Sequence, residues 1–109
     1  MLTALIGRVT TLYGTTGNQK LIAEVESTAT DMCAVVAAGT AAVGSYWSIT
    51  GTPGDAMIKT VGIGKGFGFW GVVISTGTID LSLSLSDVGA AEWWCQYVPL
   101  RDGASVTAA

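Results

Sequence analysis

Residues Gly62 to Gly71 read GIGKGFGFWG, five glycines in ten positions with Lys65, Phe67, Phe69 and Trp70 between them. Within it, Gly66-x-Gly68-x-x-Gly71-x-Val73 has the spacing of the glycine loop that covers ATP phosphates in protein kinases. That chemistry needs partners: a lysine on a following strand, an aspartate base, and an aspartate and an asparagine on the metal. Lys20, Lys59 and Lys65 all precede Gly66, and the chain has no histidine, so the catalytic-loop motif is missing. A dinucleotide fingerprint requires a helix to begin at its glycines, whereas VVIS followed by TGT reads as strand then turn. The P-loop pattern fails because Lys65 is not followed by Ser or Thr. The segment reads instead as a glycine-aromatic strand. Phe67 and Phe69 share one face, and Gly66, Gly68 and Trp70 the other. The bare backbone there would let a second sheet or subunit approach closely.

Other catalytic schemes find no better footing. Without histidine there is no Ser-His or Cys-His couple and no imidazole ligand. No Ser-x-x-Lys pairing occurs, and the eight acids are spread singly. Asp55 and Asp102 lie in loops where calcium could bind, but no neighbouring ligands accompany them. A non-enzymatic protein with no cofactor and no metal is expected.

The elements that position these residues follow from composition and periodicity. A chain of 109 residues is expected to form one domain over residues 1–109 with a folded surface of roughly 5,600 Å². Charged residues make up 12% of it, about half the ~25% of ordinary soluble domains. Neutral Thr, Ser, Gly and Ala must therefore face outward, and so neutral a surface is commonly covered by other chains. Five scattered cations against eight acids, net −3, exclude a clustered phosphate-binding footprint, so nucleic acid is not an expected partner. MLTALIGRV has no basic region ahead of its apolar residues, and a cleavable secretion signal is not expected. Residues 32–53 carry no charge, but the glycines, serines and threonines among them argue against a membrane span. Cys33 and Cys95 sit in apolar strand-like stretches and are expected as two reduced core thiols.

The dominant period is two. In TIDLSLSLSD, Ile79, Leu81, Leu83 and Leu85 alternate with Asp80, Ser82, Ser84 and Ser86, a half-buried antiparallel strand. QKLIAEVES, DMCAVVAAG, VGSYWSITG, AMIKTVGIG, FGFWGVVIS and EWWCQYVPL read as further strands, with turns at GTPGD, STGT, SDVGAA and RDGAS. Residues 2–13 also show helical spacing at Leu2, Leu5, Ile6, Val9, Leu12 and Tyr13. The β-branched RVTT and Gly7 favour a strand, one that would form a hairpin with QKLIAEV through GTTGN. About eight strands predict a mainly β fold, a single-domain antiparallel β-sandwich or jelly-roll-like barrel. The adjacent pairs Tyr46-Trp47 and Trp93-Trp94 must each send one ring inward and one outward. The candidate interface comprises Leu2, Leu5, Ile6, Tyr46, Trp47, Phe67, Phe69, Trp70, Trp93, Trp94 and Tyr97.

The C-terminal WWCQYVPLRDGASVTAA, an aromatic strand followed by YVPL, a Gly-Ala turn and an Ala-ended tail, resembles the end of small virion proteins of tailed bacteriophages. The whole chain, compact, β-rich, poor in charge and without histidine, resembles head-decoration (cement) and fibre-type proteins in style. That resemblance implies a structural protein of the virion, assembled in the host cytoplasm. It also implies a homo-oligomer, with a trimer favoured, that clamps the major capsid protein or other virion proteins. Many such proteins attach through an N-terminal arm. MLTALIGRV is apolar enough to dock, and equally fits an ordinary first strand. Two readings compete: a module recognising host glycans through exposed Trp and Tyr, and a membrane-inserting β protein that the hydropathy alone supports.

Overall fold

A computed structural model describes residues 1–14, 17–25, 28–39, 41–60, 71–86 and 88–108. Its eight strands are β1 (Leu2–Thr11), β2 (Asn18–Val25), β3 (Thr28–Asp31), β4 (Val36–Ala37), β5 (Tyr46–Ser48), β6 (Ile58–Thr60), β7 (Gly77–Leu83) and β8 (Ala90–Tyr97). The fold is mainly β, and the 2–13 segment is a strand from Leu2 to Thr11, as its β-branched residues favour. One antiparallel sheet has the order β6-β5-β1-β8. In the other, β2 pairs with β7 along its length, from Gln19↔Leu83 to Val25↔Gly77. The opposite edge of β2 is shared by β3, through Ile22↔Asp31 to Val25↔Thr28, and β4, through Gln19↔Val36. Among the described residues no ladder joins the two sheets, so the strands do not close into a barrel.

Several local expectations need correction. β1 and β2 do not form a hairpin, because they lie in different sheets. The chain leaves β1 with Tyr13 entering the core and its N–H donating to Ala41 O at 3.2 Å, and Gly17 O then accepts from Ala38 N at 2.8 Å. DMCAVVAAG is not one continuous strand. Between Ile22↔Asp31 and Gln19↔Val36, β2 advances three residues and its partner five. The surplus bulges out of the ladder, which drops Met32 and Cys33 into the core. Ala34 instead bridges Ala56, its N–H donating to Asp55 O at 2.7 Å. The strand in TIDLSLSLSD ends at Leu83, so Leu85 lies beyond it and is exposed. Of FGFWGVVIS, residues 71–75 make a single bridge, Leu2↔Val72, and the rest falls outside the described residues.

Both sheets contribute to one core. Leu5 and Val9 of β1 and Trp47 of β5 are buried with Ile49, Met57, Met32 and Cys33, and Ile79 and Leu81 of β7 pack partly against them. One row of pairings crosses the first sheet from edge to edge: Trp93, Gly7, Trp47, Lys59. A glycine between two tryptophans relieves crowding. A Cβ on Gly7 would lie 2.8 Å from three atoms of the Trp93 ring, so that ring occupies the space a side chain would fill.

Gln19 is the largest polar side chain among the fully buried residues. Its Nε2 donates to Met57 Sδ at 3.4 Å, while Oε1 has no hydrogen-bond partner. A buried unpaired acceptor carries a desolvation penalty that an apolar chain of similar length avoids. Gln19→Met is therefore expected to raise unfolding stability by about 1 kcal/mol, read from urea denaturation midpoints. A loss of stability would show that the amide has a partner of its own.

Candidate interaction surface

The sequence-selected aromatics separate as strand geometry requires. Trp47 is completely buried and Tyr46 half-buried; Trp93 is half-buried and Trp94 is 51% exposed. Leu2, Leu5 and Trp47 belong to the chain's own core, which removes them from the free surface. Ile6 and Tyr97 are half-buried. Phe67, Phe69 and Trp70 lie outside the described residues.

Trp94 heads a row across the outer face of the first sheet, Trp94, Ile6, Ser48 and Ile58. The next row runs Glu92, Arg8, Tyr46 and Thr60. The apolar row is thus bordered by one opposite-charge cross-strand pair, Arg8 opposite Glu92. Ser48 is buried within its row and donates from Oγ to Leu5 O at 2.9 Å, which satisfies its hydroxyl without water.

On the other side of β8 an apolar cleft of about 140 Å³ opens between the two sheets, lined by Leu5, Ile79, Leu81, Trp93, Trp94 and Cys95. The first sheet supplies the β1 and β8 residues and β7 supplies the isoleucine and leucine. Cys33 and Cys95 form no disulfide, and only Cys33 is in the core. Cys95 is exposed, because β8 is an edge strand and nothing lies beyond it among the described residues.

Further apolar side chains face outward. Eleven large ones are exposed among the described residues, Val88 at 81% and Val73 at 68% the most open. Every residue from Val98 to Ala108 is exposed, and within that tail the turn at Arg101 to Ala104 is closed by Ala104 N donating to Arg101 O at 3.1 Å. At the opposite terminus, the Met1 ammonium donates to Val98 O at 2.7 Å and Met1 O accepts from Val98 N at 2.7 Å. MLTALIGR is therefore built into the sheet as its first strand and does not form a separate arm.

Chemistry-bearing groups remain dispersed. Asp55 accepts from Thr50 Oγ1 at 2.7 Å and so closes its own turn. Lys20 and Asp31 form an ion pair at 2.8 Å across the β2–β3 edge, both partly in solvent and so worth little. No group of three or more Cys, Asp or Glu converges among the described residues to hold a metal ion, and no helix among them is long and apolar enough to cross a membrane. Comparison with protein-family models, curated proteins and solved structures finds no match.

Proposed function

We propose that the chain is a non-enzymatic structural subunit of a tailed-phage particle, a β-sandwich or jelly-roll-like domain that self-associates and stabilises a protein shell. The observation that carries this reading is the half-exposed Trp94 on edge strand β8, beside an apolar cleft. Tryptophan is enriched among the anchor residues of protein interfaces, where its large apolar ring and N–H can both be used. The surface as a whole agrees. Its 6675 Å² exceeds by about 1,000 Å² what a compact monomer of this mass exposes. With thirteen charged residues in the chain, little of that area repels a partner. The phage-virion resemblance of the sequence supplies the kind of assembly, with the major capsid protein as the natural second partner.

Light scattering and co-sedimentation with purified capsids test the reading. The chain is expected to run as an oligomer of its 11.1 kDa protomer at micromolar concentration and to pellet with capsids. A stable monomer that binds no particle would overturn it. The exposed Trp94 also favours a second reading, a glycan-stacking platform. Glycan-array binding that Trp94→Ala abolishes would select that alternative.

A further inference from the structure

The geometry points to strand β8 as the contact between two copies of this chain. We infer that β8 pairs antiparallel with the β8 of a second copy about a two-fold axis through Trp94, joining the two four-stranded sheets into one of eight. This rests on the self-association reading above and gives it a symmetry, two-fold where the virion resemblance implies three-fold.

The backbone supplies the first reason. Gln96 O accepts from Thr3 Oγ1 at 3.2 Å, and Val98 N donates to Met1 O at 2.7 Å. Even-numbered residues of β8 therefore turn their main-chain groups toward β1. Antiparallel alternation leaves Ala91, Trp93, Cys95 and Tyr97 with N–H and C=O directed outward, and no described strand takes them up. An eight-residue edge of this kind is a template for another strand unless lysine, proline or a bulge blunts it. AAEWWCQY has no lysine or proline, and the β1–β8 register shifts fall at Thr3 and Thr10, on the β1 side of the ladder.

The occupant follows from self-complementarity. Only a same-phase register matches outward groups with outward groups, so a two-fold axis must pass through a residue of β8. With the axis at Trp94, Glu92 stands opposite Gln96 of the second copy, giving the strand's one charge an amide donor on each side of the axis. The two exposed indoles of Trp94 meet at the axis on the outer face. On the inner face the large Trp93 stands beside the small Cys95. An axis at Cys95 would set Glu92 against Val98, and an axis at Trp93 would set it against Trp94. Both leave Arg8 of its own chain as the only donor facing the carboxylate and add none from the second copy.

Mass and register are tested on the full chain. The wild type is expected to dimerise at twice 11.1 kDa. Gln96→Lys would face Glu92 twice per dimer and tighten it about tenfold, and Gln96→Glu would loosen it about tenfold. Both changes are at an exposed position, so circular dichroism should stay unchanged. In a Cys95→Ser background, chains carrying Glu92→Cys should form a disulfide with chains carrying Gln96→Cys. Facing non-hydrogen-bonded residues lie about 4.5 Å apart, within disulfide span. Neither chain should crosslink to itself. A monomer would overturn both this inference and the self-association reading. A trimer would overturn the inference alone. A dimer that lacks the mixed crosslink, or in which lysine and glutamate at 96 act alike, would overturn the pairing.

Discussion

Trp47→Ala is expected to cost about 3–5 kcal/mol and to lower the melting midpoint by on the order of 15 °C or more, enough to leave a marginally stable domain largely unfolded at 37 °C. Trp47 is fully buried, its ring stacked on Tyr13 at 6.5 Å between centroids and 25° between planes. Lys59 Nζ lies over the same ring at 5.8 Å, a small additional attraction at an exposed lysine. Removing the indole leaves a cavity in the buried cluster that it shares with Leu5, Val9 and Ile49, which strand pairing prevents from collapsing. Trp47→Phe should cost less than half as much. It keeps the aromatic contact and deletes Nε1, a buried donor with no hydrogen-bond partner, whose desolvation offsets part of the lost volume. Chemical denaturation of the two variants checks the ordering. An alanine variant as stable as the parent would mean that Trp47 serves an external contact.

The divergence of the two rings in each adjacent aromatic pair was legible in the sequence because it depends only on the two-residue period of a strand. Once YW and WW are placed in strands, Trp47 against Tyr46 and Trp93 against Trp94 must diverge. Which ring goes inward is a tertiary fact, as is the sheet each strand joins. β1 lies between β5 and β8, some forty and ninety residues away in sequence. No local signal favours those partners over the adjacent β2, to which the Gly/Asn loop pointed. The same limit explains Cys95. Its apolar neighbours resemble a core strand, but sitting at a sheet edge exposes it. For the candidate surface, the periodicity marked Trp94 as outward on one condition only, that its neighbour faces inward. The cleft beside it needs β7 and β8 to flank the same opening, and they meet only through the core.

Gly7→Val is expected to destabilise the chain by about 2–3 kcal/mol, at the upper end of overpacking, against the direction that strand propensity gives. Valine is among the best strand formers and glycine among the worst, so from local preference alone the change should stabilise β1. The register reverses the sign. Gly7 stands between Trp47 and Trp93, and the Trp93 ring lies 2.8 Å from where its Cβ would be. A β-branched side chain must displace that indole toward the open edge of the sheet, exposing more of it and disturbing the wall of the cleft. If this is the cause, shrinking the indole should remove it. Trp93→Leu alone costs stability, but Gly7→Val added to Trp93→Leu should cost much less than Gly7→Val in the parent. That leaves a coupling energy of at least about 1 kcal/mol, within the range for residues in contact. Additive effects would mean that the penalty arises in the β1 backbone, and a stabilising Gly7→Val would mean that Trp93 does not lie across Gly7 at all.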